Sequence, residues 1–240
     1  MKKTTTLLIL SLIFVSTINA QIWGSKKVKG NGNIITETRN IGDYDGIKCA
    51  GSMDFILVSG NEGALKLEGD SNILEYVITE IKNNNLIVKV KNGTNISSSK
   101  GITVTIPFKD VDNVSLAGSG DLISKAQITT NKLDVSLAGS GDVSLDLKTN
   151  SVKAAIAGSG DMKLKGNTNK LEVKIAGSGD FHGFDLQANN TEVSVAGSGD
   201  AEVVSNENLK ARVAGSGDIK YIGSPEKDTK VAGSGTIKAN

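Results

Sequence analysis

Apolar and polar residues alternate along much of this chain. Leu133, Val135 and Leu137 share one parity, with Asp134 and Ser136 between them. The same pattern holds for Val152, Ala154 and Ile156, for Leu171, Val173 and Ile175, and for Leu209, Ala211 and Val213. A period of two predicts a strand with one buried face. A second, shorter run follows each of these, as in Val143-Leu145-Leu147, Met162-Leu164, Ala201-Val203 and Ile219-Tyr221. Lys148-Thr149-Asn150 and Asn167-Thr168-Asn169 read as polar turns that close each unit. Residues 111–240 show no helical periodicity.

Between the paired runs lies one motif. Ala-Gly-Ser-Gly occurs seven times, starting at Ala117, Ala138, Ala157, Ala176, Ala196, Ala214 and Ala232, with spacings of 18 to 21 residues. Six copies continue with aspartate (Asp121, Asp142, Asp161, Asp180, Asp200 and Asp218) and the last continues with Thr236. Ala50-Gly51-Ser52-Met53-Asp54 is a degenerate relative upstream. A unit of this size cannot bury its apolar face alone, but stacked copies can, each strand pairing with its counterpart in the next unit. The predicted fold is all-β: a single-stranded parallel β-helix, right-handed by the general rule for parallel connections. Strands about 4.8 Å apart make seven coils a rod section of roughly 30 Å. A propeller would need blades of about 40 residues. Glycine is expected at the corner for its backbone freedom, and Ala and Ser because coils approach closely there.

Residues 28–110 are strand-rich but less regular. Phe55–Val58, Leu65–Leu67, Leu86–Val90 and Ile102–Ile106 read as strands, and Gly60, Gly69, Asn83–Asn85 and Asn92-Gly93 as turns. Ile73–Ile81 fits an amphipathic helix or a strand. This segment is expected to form irregular first coils and a cap.

Composition adds exclusions. The chain has 240 residues, 28 glycines, two prolines, one cysteine and one histidine. One cysteine makes no intrachain disulfide and no Cys-based zinc site. One histidine gives no His cluster and little basis for Ser–His–Asp chemistry. With 27 basic and 26 acidic residues, no nucleic-acid footprint appears. Lys2 and Lys3, the apolar Leu7–Val15 and the small residue Ala20 predict a Sec signal peptide over 1–20. Its removal leaves 25 basic against 26 acidic residues. The expected organisation is a signal peptide (1–20), a short tail with Trp23 (21–28) and one β-helical domain (29–240), its repeat coils spanning 111–240. No later stretch is long and apolar enough to span a membrane as a helix. The expected address is the periplasm, the cell surface or the medium.

A series of motifs resembles a known family. It comprises Gly30-Asn31-Gly32 with Thr36-Glu37-Thr38-Arg39, the run Ile47–Phe55, Gly69–Leu74, Leu86-Ile87-Val88, Val104–Pro107 and the Gly-Ser-Gly-Asp copies. In that order they are similar to the head GIN domain family of auto-transporter adhesins, common in Bacteroidetes-type genomes. The resemblance covers nearly all of residues 28–240. It implies a pectin-lyase-like β-helix and an adhesive role, with no established catalytic residues. No outer-membrane barrel or sorting domain is recognisable in the sequence, so the auto-transporter part of that name is not expected to apply.

The aspartate column is the main candidate for chemistry. Asp121, Asp142, Asp161, Asp180, Asp200 and Asp218 at one position of successive coils offer oxygen ligands for calcium. Carboxylates about 5 Å apart also suit a retaining glycosidase. The plainer expectation is that each Asp caps its own corner by accepting a backbone N–H. Neighbouring charges at that spacing repel by roughly 0.9 kcal/mol in water, so an exposed ladder needs no metal. Equivalent carboxylates also lack the asymmetry a catalytic pair requires. The repeat breaks at Phe181-His182-Gly183-Phe184, and His182 is expected at a surface or strand end. Cys49 is expected to be a buried structural thiol.

The reading is an exported, non-enzymatic β-solenoid that serves as an adhesin or cell-envelope interaction module, with no cofactor. The alternative is a carbohydrate-active enzyme or a calcium-dependent glycan binder using the aspartate ladder. The expected partners are glycans or cell-envelope proteins, met by outward residues such as Ser136, Lys153, Lys174 and Ser194. A homo-oligomer is left open, and no nucleic acid is expected.

Overall fold

The computed structural model describes residues 26–240. The expected signal peptide (1–20) and Trp23 lie outside the described residues. The N-terminal strands are β1 (Lys26–Lys29), β2 (Ile34–Asn40), β3 (Gly46–Gly51), β4 (Asp54–Ser59), β5 (Ala64–Asp70), β6 (Val77–Lys82), β7 (Asn85–Val90), β8 (Thr94–Ser97) and β9 (Thr103–Phe108). The repeat region holds β10 (Asn113–Gly118), β11 (Leu122–Gly139), β12 (Val143–Gly158), β13 (Met162–Gly177), β14 (Phe181–His182) and β15 (Leu186–Gly197). It ends with β16 (Ala201–Val204), β17 (Asn208–Gly215), β18 (Ile219–Ile222), β19 (Glu226–Gly233) and β20 (Ile237–Ala239). Together they form a β-solenoid of about seven turns.

Every pairing among β10–β20 is parallel and joins equivalent repeat positions, for example Leu137↔Ile156↔Ile175↔Val195↔Val213. The inward side chains therefore form continuous columns. Leu116, Leu137, Ile156, Ile175, Val195 and Val213 are each no more than 3% exposed. At the repeat break, Phe181 fills the column of Met162 and is fully buried. Ala201, its register partner in the next coil, supplies the space.

The segments expected as polar turns lie within continuous strands instead. Lys148↔Asn167 and Ser151↔Lys170 stay in register, and β12 runs unbroken through them. Side chains stitch these segments: Thr149 Oγ1 donates to Thr168 Oγ1 at 3.0 Å, and Thr168 Oγ1 donates to the Lys170 carbonyl at 3.0 Å. These bonds satisfy polar groups of residues that the sequence pattern reads as turns.

The N-terminal coils are stacked out of chain order. β3 lies between β7 and β10, all parallel, and β4 lies between β9 and β11. The coil of residues 46–59 is therefore inside, and residues 85–108 form the layer beyond it. β5 and β6 run antiparallel to β9 and β7 and link the two layers. Ile73–Ile81 is divided between a short 3-10 turn at Leu74–Tyr76 and β6. Asn83 and Asn84, both with positive φ, form the two-residue β6–β7 hairpin loop. Lys26–Val28, expected in a tail, pair with β8 in a two-stranded sheet.

Candidate functional site

The corner motif is built by inter-coil hydrogen bonds. The carbonyl of Gly139 accepts from the N–H groups of Ser159 and Gly160, at 2.9 and 3.1 Å, and the same fork repeats at each corner from Gly51 to Gly215. The two glycines serve different needs. The first, as at Gly158, has φ near +129°, a region that side chains disfavour. The second, as at Gly160, has ordinary φ, but a Cβ there would overlap the Gly141 carbonyl oxygen. The corner serines are exposed, and their bonds run through the backbone.

The aspartates extend the corner. Asp121 Oδ1 accepts the N–H of Asp142 at 3.1 Å, Asp142 that of Asp161 at 3.0 Å, and Asp161 that of Asp180 at 2.9 Å. Asp180 accepts from Asp200, Asp200 from Asp218 and Asp218 from Thr236, each at 2.7 Å. Asp54 starts the series by accepting from Asp121 at 3.2 Å. Each carboxylate thus caps the next coil rather than its own corner. The reason is geometric: in-register stacking brings the following backbone N–H over the side chain. The bonds from Thr236, through side chain and backbone, hold the Asp218 carboxyl below the usual carboxylate range. Among the described residues, no group of three or more His, Cys, Asp or Glu is arranged to hold a metal ion.

His182 points outward beside Glu202, with Nδ1 3.3 Å from its carboxylate. Cys49 is 2% exposed, between Leu116 and Val88, and burial pushes its thiol pKa well up.

The outward face of the solenoid carries a groove of about 420 Å³ across four coils. Its polar lining includes Lys153, Lys170, Glu172, Asn190, Asn208 and Lys210. Glu172 is paired with Lys174 at 2.5 Å and Glu192 with Lys210 at 2.6 Å. The bond from Lys174 holds the Glu172 carboxyl below its usual range, helped by the nearby charges of Lys153 and Lys210. Lys153 and Lys170 carry no such pair among the described residues. Asn208 Nδ2 donates to Asn190 Oδ1 at 2.7 Å, giving a short amide ladder along the groove. Sequence reading picks out Lys153 and Lys174 but misses Lys170, Asn190 and Asn208. The signal was register: Ser151, Lys170, Asn190 and Asn208 occupy one column.

A further site missed by sequence reading locks the N-terminal segment. Asp70 is fully buried and accepts from Gly32 N–H at 2.7 Å, Ser98 Oγ at 2.7 Å, and Ser99 N–H and Oγ at 2.8 Å each. Its carboxyl is held far below the usual range, chiefly by the Ser99 backbone bond and the Ser98 hydroxyl. One side chain thereby joins three chain segments.

The sequence profile of the family described as "Putative auto-transporter adhesin, head GIN domain" matches residues 43–225. The chain belongs to this family. The head GIN fold is also seen in solved structures. A putative adhesin from Bacteroides fragilis is 28% identical, with a TM-score of 0.82 over 89% of this chain and 100% of that one. A putative lipid binding protein from Parabacteroides distasonis is 27% identical, with a TM-score of 0.76 over 90% and 100%. A putative adhesin from Parabacteroides merdae is 25% identical, with a TM-score of 0.72 over 90% and 99%. No curated protein matches the chain.

Proposed function

We propose that this head GIN protein is an exported, non-enzymatic adhesin-type module that binds an acidic glycan of a cell surface in the groove at Lys153 and Lys170. The observation that carries this reading is the groove itself. Lys153 and Lys170, neither in a direct ion pair among the described residues, stand beside an amide ladder, a combination suited to carboxylates and sugar hydroxyls. Two solved structures of the same fold, each described as a putative adhesin, support the functional class. The aspartate ladder favours a non-enzymatic role, because each Oδ1 is spent on a backbone N–H of the next coil. The inward columns are filled with side chains, which favours a ligand on the outside of the rod.

The test is binding to an array of uronate-containing, sialylated and neutral glycans. The expected result is binding to acidic glycans that weakens with salt and falls at least about tenfold in Lys153→Ala/Lys170→Ala. Both lysines are surface groups, so the melting temperature should hold within a degree or two. Failure to bind any acidic glycan, or binding that the double variant leaves intact, overturns this reading.

A further inference from the structure

Among the described residues, β19 is paired on one side only, with β17. Val213 is 3% exposed, but its counterpart Val231 is 41% exposed. Among the described residues, nothing pairs with the outer edge of β19. In a parallel ladder the N–H and C=O of one residue face the same neighbour, and the next residue faces the other way. Glu226 N–H bonds to Glu207 O at 2.7 Å, on the β17 side. The main-chain groups of Lys227, Thr229 and Val231 therefore point away from the rod, available to a further strand. The side chains of these three residues continue the inward columns of Leu209, Ala211 and Val213. Asp228 and Lys230 lie on the outer face. Asp228 is held by Arg212 at 2.5 Å and is 67% exposed, while Lys230 has no carboxylate partner among the described residues.

We propose that two copies of this protein join end to end through their β19 edges, in an antiparallel two-fold pairing centred on Thr229. Charge selects both the occupant and the register. Centring on Asp228 sets two aspartates side by side, and centring on Lys230 sets two lysines together. Centring on Lys227 opposes two lysines and also sets Glu226 against Asp228. Centring on Val231 makes no charge pair. Centring on Thr229 places Asp228 of each copy opposite Lys230 of the other, twice by symmetry. In the same register Thr229 faces its own copy, a favourable cross-strand pair, and Lys227 lays its aliphatic stem beside Val231. The alternating main-chain groups of Lys227, Thr229 and Val231 then meet as hydrogen-bonded pairs, as an antiparallel ladder requires. Charged residues on an edge strand ordinarily block pairing. Here the charges of Lys227, Asp228 and Lys230 oppose the registers centred on those residues and reward the one centred on Thr229, so the two-fold contact is isologous and closed.

The test uses the purified protein in analytical ultracentrifugation and light scattering. A dimer is expected, with Asp228→Lys or Lys230→Asp each weakening it at least about tenfold. The exchange variant Asp228→Lys/Lys230→Asp restores both pairs and should restore the dimer. Mixing the two single variants should form a heterodimer, which keeps the test valid if loss of the Arg212 contact perturbs one of them. Thr229→Cys should give a disulfide-linked dimer under oxidation, because directly opposed residues of such a pair lie about 5.5 Å apart at Cα, within disulfide reach. The parent chain should not, since Cys49 is buried. A monomer at every concentration, a dimer indifferent to the charge variants, or a Thr229→Cys dimer that forms no cross-link would overturn the proposal.

Discussion

Asp161 accepts the backbone N–H of Asp180 through Oδ1 at 2.9 Å, across the gap between two coils. That bond makes the carboxylate part of the stacking. The residue type is explained by what it does for the next coil, with no need for a bound ion or a substrate.

Asp161→Ala should therefore lower stability by about 1 kcal/mol, the scale of one lost partly exposed hydrogen bond. Asp161→Asn keeps an acceptor and should cost less. Thermal denaturation compares the two directly. Neither variant should alter any turnover on uronate or neutral polysaccharides, and a turnover abolished by Asp161→Asn or Asp180→Asn would establish the enzymatic alternative.

Calcium provides a separate check on the same ladder. Millimolar calcium or a chelator is expected to leave the melting temperature unchanged. A rise of several degrees with calcium would mean that the ladder oxygens hold the ion, since a ligand specific to the folded state stabilises it by mass action.

Both corner glycines should be intolerant of alanine. Gly158→Ala combines a disfavoured φ with overlap on the Gly139 carbonyl, and Gly160→Ala overlaps the Gly141 carbonyl at ordinary φ. Each is expected to cost upwards of about 3 kcal/mol, in the range that marks forced backbone displacement. Gly42→Ala, where an added Cβ meets nothing within 4 Å, should change stability by less than about 1 kcal/mol. Chemical denaturation of the three variants separates these cases.

Asp70 predicts an acid dependence. Its folded-state carboxyl titrates well below the unfolded value of about 3.9. The stabilisation is therefore complete above about pH 5 and declines as the pH falls through the unfolded value toward the folded one. Asp70→Asn should melt well below the parent at neutral pH, and the difference should narrow near pH 3. An equal difference at both pH values would show that the carboxylate charge is not what holds the three segments.

His182 sits in a half-exposed pair with Glu202, and such pairs contribute about 0 to 1 kcal/mol. His182→Gln should fall within that range in a melting experiment, with no loss of glycan binding.

The solenoid was legible because its repeat fixes three things at once. The alternation of Leu133, Val135 and Leu137 sets which face is buried. The recurrence of Ala-Gly-Ser-Gly sets which residues stack, and the glycines set where the chain turns. The continuous strand through Thr149 and Thr168 is not legible in the sequence, because hydroxyl and amide side chains look the same there whether they meet water or each other. The groove was only half legible for a related reason: it is a shape made by four coils, and Lys170 and Asn190 gain meaning only beside one another.

By itself, the sequence determined the strand faces, the parallel register of residues 113–240 and the small-residue corners, because a repeated local pattern leaves a single way to bury every copy. The tertiary structure alone decided the order of the N-terminal layers, with residues 46–59 inside and 85–108 beyond them. It also decided the partners of Asp70 and the receiver of each ladder carboxylate. Those are contacts between segments far apart in the chain, and periodicity says which face a residue shows without saying which segment will lie against it.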